Sequence, residues 1–189
     1  NDGLTKYDGR KSNYYQFTLG ENKAINSNWI NSVFVDSESR LWVARDGGFS
    51  LYIPETDSFI NYYRGAKYPN IKGKNYVSIA ETKDRKLWFG SRTAGITVYD
   101  PATNSFASID IDDEDMNLSS NKISDIVVDE KGTIYVGTFD YGINVLTPNA
   151  TKFTLYNKNT PLALPDNTIR SLHYDPLNGV WAGTENNGI

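Results

Sequence analysis

The chain has 189 residues, no cysteine, a single histidine, 13% aromatic residues and a formal net charge of −4. Zero cysteines exclude disulfides and thiolate metal sites, and the lack of clustered Lys and Arg excludes a surface built to bind nucleic-acid phosphates. No apolar run approaches the roughly 20 residues of a membrane helix, while the length suffices for one domain with a sizeable core.

In chain order the elements repeat. Residues 1–20 read as the last two strands of a unit, with Asp2-Gly3-Leu4-Thr5-Lys6-Tyr7 as its third strand and Tyr14 in its fourth. Residues 27–63 hold a full unit: an apolar strand over 30–36, a polar turn at Ser37-Glu38-Ser39, the strand Leu41-Trp42-Val43-Ala44, a turn ending at Gly48, a third strand, and an outer strand beginning at Phe59. Residues 74–109 repeat this order, with Lys83-Asp84-Arg85, Leu87-Trp88-Phe89-Gly90, Gly95 and Phe106. In 120–156 the counterparts are Glu130-Lys131-Gly132, Ile134-Tyr135-Val136-Gly137, Gly142 and Phe153. Residues 165–189 supply two strands of a further unit, with Val180-Trp181-Ala182-Gly183 and the turn glycine Gly188 before Ile189.

Trp42, Trp88, Tyr135 and Trp181 stand 46, 47 and 46 residues apart. A repeat of that length with four strands is a propeller blade. Helical periodicity is missing, and turn residues punctuate the chain at strand-length intervals. The predicted class is therefore all-β: a β-propeller made of four-stranded antiparallel blades, about four 46-residue repeats, forming an arc of a larger propeller. The second strand of each unit is apolar at consecutive positions, as expected where neighbouring blades cover both faces of the pleat. The small residues Ala44, Gly90, Gly137 and Gly183 follow its apolar core, where a larger side chain would hold the next sheet away. An arc leaves open edges, which three arrangements can satisfy: residues 1–20 completing the blade begun by 165–189 in a four-bladed ring, pairing of two chains, or the remaining blades of a parent propeller.

In a propeller the loop entering the inner strand and the loop joining the second and third strands emerge on one face. Here they bring together Trp29, Arg45, Asp46, Tyr76, Arg92, Phe139, Asp140, Tyr141, Glu185 and Asn186. Sugars present apolar ring faces rimmed by hydroxyls, so flat aromatics beside planar donors and acceptors suit them. Trp29, Tyr76, Phe139 and Tyr141 are the candidate platforms. Arg45, Asp46, Arg92, Asp140, Glu185 and Asn186 are candidates to grip hydroxyls or a sugar carboxylate. Trp42, Trp88, Tyr135 and Trp181 read as core. With no second histidine and no cysteine, His173 reads as a structural histidine rather than a metal ligand. The acidic run Asp110, Asp112, Asp113, Glu114 and Asp115 lacks the glycine and terminal glutamate of a calcium loop and reads as an exposed linker. No metal and no cofactor are expected.

The motifs resemble the two-component regulator propeller repeat. Asn167-Thr168-Ile169, Asp175, Trp181-Ala182-Gly183-Thr184 and Gly188-Ile189 follow its pattern, as do Ser120-Asn121-Lys122-Ile123, Asp129, Gly132, Ile134-Tyr135-Val136-Gly137-Thr138 and Gly142-Ile143. Ala44-Arg45, Lys74-Asn75-Tyr76 and Ser91 depart from it in the first two full blades. The resemblance implies a seven-bladed propeller in the periplasmic sensor region of a bacterial hybrid two-component system histidine kinase. It further implies an oligosaccharide ligand, a homodimeric parent anchored in the inner membrane, and control of genes for polysaccharide use. Targeting segments and kinase modules would lie outside these residues. Two other readings compete: a non-catalytic protein-interaction scaffold, and a propeller glycoside hydrolase or lyase using Asp46, Asp140 or Glu185.

Overall fold

A computed structural model describes residues 3–21 and 23–188. Asp2, assigned above to a third strand, and Ile189, which follows the turn glycine Gly188, lie outside the described residues. Sixteen strands are present among the described residues, and no helix. β1 (Leu4–Tyr7) pairs with β2 (Ser12–Tyr15) as a two-stranded sheet. Three four-stranded antiparallel sheets follow, each in sequential strand order. They are β3 (Ile30–Val35), β4 (Leu41–Arg45), β5 (Gly48–Ile53) and β6 (Ser58–Tyr62); β7 (Tyr76–Glu81), β8 (Leu87–Ser91), β9 (Ile96–Asp100) and β10 (Ser105–Ile109); and β11 (Ile123–Val128), β12 (Ile134–Thr138), β13 (Ile143–Leu146) and β14 (Thr154–Tyr156). β15 (Ile169–Asp175) and β16 (Gly179–Thr184) form a last two-stranded sheet. These are the blades of an open propeller. The inner strands β3, β7, β11 and β15 contact one another in that order, and the two-stranded sheets at either end do not join into one sheet.

The repeated aspartate explains the hairpin between first and second strands. Asp36 accepts hydrogen bonds from the backbone N–H of Glu38 (3.0 Å) and Arg40 (2.8 Å), from Arg40 Nε (2.7 Å) and from the indole Nε1 of Trp42 (2.8 Å). One carboxylate thus closes the turn and fixes the ring of the next strand. Burial works against its charge, but these donors outweigh it and hold the Asp36 carboxyl below the usual range. Asp129 repeats the arrangement with the N–H groups of Lys131 and Thr133 and the phenol of Tyr135.

Blades press together through that aromatic strand. Trp42 and Phe89 are fully buried in a cluster with Phe49, Tyr62 and Tyr99, the Phe49 and Phe89 rings stacking 3.9 Å apart. A Cβ on Gly90 would lie 2.8 Å from Ile123 Cγ2, and one on Gly137 2.8 Å from Ile169 Cγ2, so these glycines admit the inner strand of the next blade. Trp88 is buried and Tyr135 half-buried, but Trp181 is 49% exposed. That corrects the core assignment for Trp181: it lies in the last sheet of the arc, with no further blade against it. His173, expected as a satisfied structural residue, sits opposite Trp181 and is exposed for the same reason. Asp110 also departs from expectation, being buried and paired with Lys72 Nζ at 2.6 Å instead of lying on an exposed linker.

Buried phenols make the fold sensitive to alkali. Burial pushes Tyr62 from the ordinary value of 10.0 up to about 12, and burial is also the main cause raising Tyr76 and Tyr99. The neutral phenol is favoured only in the fold, so their contribution is complete below pH 10 and is lost as pH rises through the folded values. Thermal melts should therefore fall steeply above about pH 10, with the phenolate absorbance of these rings appearing together with unfolding. Phenolate formation in all 13 tyrosines with secondary structure intact would contradict this.

Candidate functional site

The face carrying the inner-strand entries is knitted by backbone bonds that recur in every blade. Asp46 N–H donates to the Trp29 carbonyl (3.0 Å), Arg92 N–H to Asn75 (2.9 Å), Phe139 N–H to Lys122 (3.0 Å) and Glu185 N–H to Thr168 (3.1 Å), tying each second-to-third-strand loop to the entry of its own blade. The turn glycines reach across instead. Gly3 donates to the Asn28 carbonyl, Gly47 to Lys74, Gly95 to Asn121 and Gly142 to Asn167, each an entry residue of the following blade. The face is thus a belt of loops with fixed backbone, on which side chains vary.

Each inner strand begins with a β-bulge at the same place, between Ile30 and Ser32, Tyr76 and Ser78, Ile123 and Asp125, and Ile169 and Ser171. Bulges re-aim side chains, and the residues they displace are Asn31, Val77, Ser124 and Arg170. Asn31 uses this to donate through Nδ2 to Asn75 Oδ1 (3.1 Å) and the Tyr76 carbonyl (2.8 Å), bridging two blades.

The sequence candidates separate on this face. Trp29 is 62% exposed and Tyr141 51% exposed, so both present rings to solvent. Asp46, Arg92, Glu185 and Asn186 are also exposed, whereas Phe139 and Asp140 are half-buried. Arg45 and Tyr76 are corrections. Arg45 has no exposed surface; it donates to Ser50 Oγ (2.8 Å), the Asp46 carbonyl (3.1 Å) and Asn61 Oδ1 (3.4 Å), and burial pushes its guanidinium down to about 10. It fills the position of the small residues Ser91, Thr138 and Thr184 in later blades, and its donors are satisfied in the interior. Tyr76 is buried against Phe49 and bonds through its hydroxyl to Thr97 (2.7 Å) and to the Gly73 N–H (3.2 Å). Asn186 is tied to Asp166.

The second and third full blades and the last two-stranded sheet converge at Phe139. The Arg92 guanidinium lies 5.2 Å and the Arg170 guanidinium 5.3 Å from its ring centroid. Arg170 is ion-paired with Glu185, and Asp140 with Lys122 at 3.0 Å, while Asp140 Oδ1 is enclosed without a protein donor. Arg170 and Lys122 were not among the sequence candidates. A blade alignment contained the signal, because Arg170 is the only cation at the bulge position.

A groove of about 700 Å³ lies at the opposite strand ends, between the second and third full blades, with Trp88, Val98, Ala107, Ile134 and Leu146 among its walls. It was also missed, although Leu146 stands where the other full blades have the larger Tyr52 and Tyr99. Among the described residues no group of three His, Asp or Glu is placed to hold a metal ion.

Comparison with known proteins agrees with the propeller fold. The model of the family described as two component regulator propeller matches residues 117–140 and 163–186. The extracellular domain assigned to the hybrid two component system BT4673 from B. thetaiotaomicron superposes with a TM-score of 0.76 at 25% identity, over 98% of this chain and 23% of that one. A second structure of the BT4673 extracellular domain, described there as a one component system, gives 0.75 at 26% over the same shares. The extracellular domain assigned to the hybrid two component system BT3049 of the same organism gives 0.58 at 18%, over 99% of this chain and 30% of that one, and shows the fold alone. The chain therefore spans less than a third of these domains. No curated protein matches the sequence. Residues 117–140 and 163–186 thus match the two-component regulator propeller repeat, on an arc of β-propeller blades similar to those in the extracellular domains of hybrid two-component systems.

Proposed function

We propose that this chain is a ligand-sensing segment of the periplasmic propeller of a hybrid two-component sensor, that it binds an oligosaccharide on the loop face, and that it does no chemistry itself. The observation that carries the reading is the exposure of Trp29 and Tyr141 on a backbone-locked face of a fold shared with sensor extracellular domains. Rigid aromatic platforms beside Asp46, Arg92 and Glu185 suit a ring-shaped, hydroxyl-rich ligand. A preformed site also loses little entropy on binding. The remaining blades of the parent propeller cover the open edge at Trp181, and the parent is a homodimer anchored in the inner membrane, with its kinase on the cytoplasmic side. Ligand binding then biases the dimer geometry that the kinase reads.

Calorimetric titration of the intact extracellular domain with a panel of glycan oligomers tests this. Heat of binding without new reducing ends is the expected result. New reducing ends would make the propeller a hydrolase or lyase, and no heat from any oligomer would favour a protein-interaction scaffold. Tyr141→Ala should weaken binding at least about tenfold while the melting temperature stays within a few degrees, since an exposed loop change costs little stability.

A further inference from the structure

We infer that the loop face recognises an acidic oligosaccharide, and that the ladder Arg92–Phe139–Arg170 is the element that reads its negative charge. This rests on the carbohydrate-binding reading above and specifies the ligand class.

The ladder joins three blades. Arg92 comes from the β8–β9 loop, Phe139 from the β12–β13 loop, and Arg170 from the bulge at the start of β15. Both guanidiniums lie within reach of the one ring, at 5.2 and 5.3 Å from its centroid. Two like charges converging on one phenyl group repel each other, and only part of that repulsion is answered within the protein. Glu185 pairs with Arg170, and the neighbouring Lys122 and Asp140 pair with each other. Arg92 is exposed, and among the described residues no carboxylate pairs with it. Its backbone N–H is held by Asn75, and its guanidinium contact is the ring of Phe139.

A guanidinium beside an aromatic ring loses part of its freedom and hydration before any ligand arrives, while its N–H fork still matches two oxygens of one anionic group. At the ladder itself the charge left open is therefore positive, held against the ring and shaped for a carboxylate or a sulfate. Exposed Tyr141, two residues from Phe139, adds a flat surface for the neighbouring sugar ring. A neutral glycan would bind beside an arginine whose charge it cannot match. An oligomer bearing a uronate or sulfate ester satisfies both the stacking surface and the fork.

The experiment titrates the intact extracellular domain with uronate oligomers, the same oligomers as neutral methyl esters, sulfated oligomers, and neutral oligomers. Binding of a uronate or sulfated oligomer is expected, with affinity falling as salt rises. Methyl esterification should weaken uronate binding at least about tenfold, and Arg92→Gln should weaken acidic-ligand binding by a similar factor. Arg92→Lys should recover only part of the loss, because an ammonium keeps the charge without the fork. The uronate and sulfate arms identify which anion is read. Neutral oligomers binding as tightly as acidic ones, with Arg92→Gln without effect, would overturn the acidic assignment and leave carbohydrate sensing standing. If no oligomer of any kind binds, both readings fall.

Discussion

Replacing Trp42 by alanine lowers the stability of the chain by about 3 to 5 kcal/mol, the usual loss for deleting a large buried ring. Trp42 is fully buried, packs edge-on against Phe89 at 5.5 Å and lies close to Tyr62 and Tyr99, so its removal opens a cavity between two blades. It also strips Asp36 of the indole donor, leaving a buried carboxylate with one bond fewer. Trp42→Phe keeps an aromatic ring but removes that donor and some volume, and should cost about 1 to 3 kcal/mol. Trp181 occupies the same repeat position but is half-exposed, so Trp181→Ala in this 189-residue chain should cost less than about 1 kcal/mol. Chemical denaturation of the three variants measures this. Equal losses for Trp42→Ala and Trp181→Ala would show that burial between blades is not what the aromatic position contributes.

The second large effect is expected at Gly95. Its φ of +68° lies where an L side chain is strained, and a Cβ there would stand 2.2 Å from the Ile109 carbonyl oxygen, a backbone atom of β10 that cannot turn aside. Moving Gly95 also disturbs the N–H bond to Asn121 that ties the second full blade to the third. Gly95→Ala should therefore cost about 2 to 4 kcal/mol, the backbone strain adding to the overpacking. Gly9 has a φ of +91° with nothing within 4 Å of its missing Cβ, so Gly9→Ala reports the conformational part alone, about 1 to 2 kcal/mol. Should the two variants melt together, the close approach to β10 carries no cost and the packing argument fails.

The loop face was legible in part. Trp29 and Tyr141 were readable as loop-face residues from their place in the repeat, and both are exposed. Arg45 and Tyr76 were not, because both sit where the repeat usually carries smaller or aliphatic residues. Local sequence does not reveal that Ser50, Asn61 and Thr97 are positioned to satisfy their polar atoms inside. Arg170 was hidden for a related reason: a one-residue bulge changes where a strand residue points, and that depends on pairing with β16.

By itself the sequence determined the all-β class, the four-stranded blade and the aromatic wedge, because a recurring pattern of apolar strand, turn and glycine encodes short-range geometry the same way each time it appears. Tertiary structure alone decided which wedges are buried, since burial belongs to the neighbouring blade and not to the residue. Trp42 and Trp181 share a motif and differ in exposure because one has a blade on its outer side and the other does not. The Arg92–Phe139–Arg170 ladder was decided in the same way: its members come from three blades, and only the stacking of those blades brings their charges to one ring.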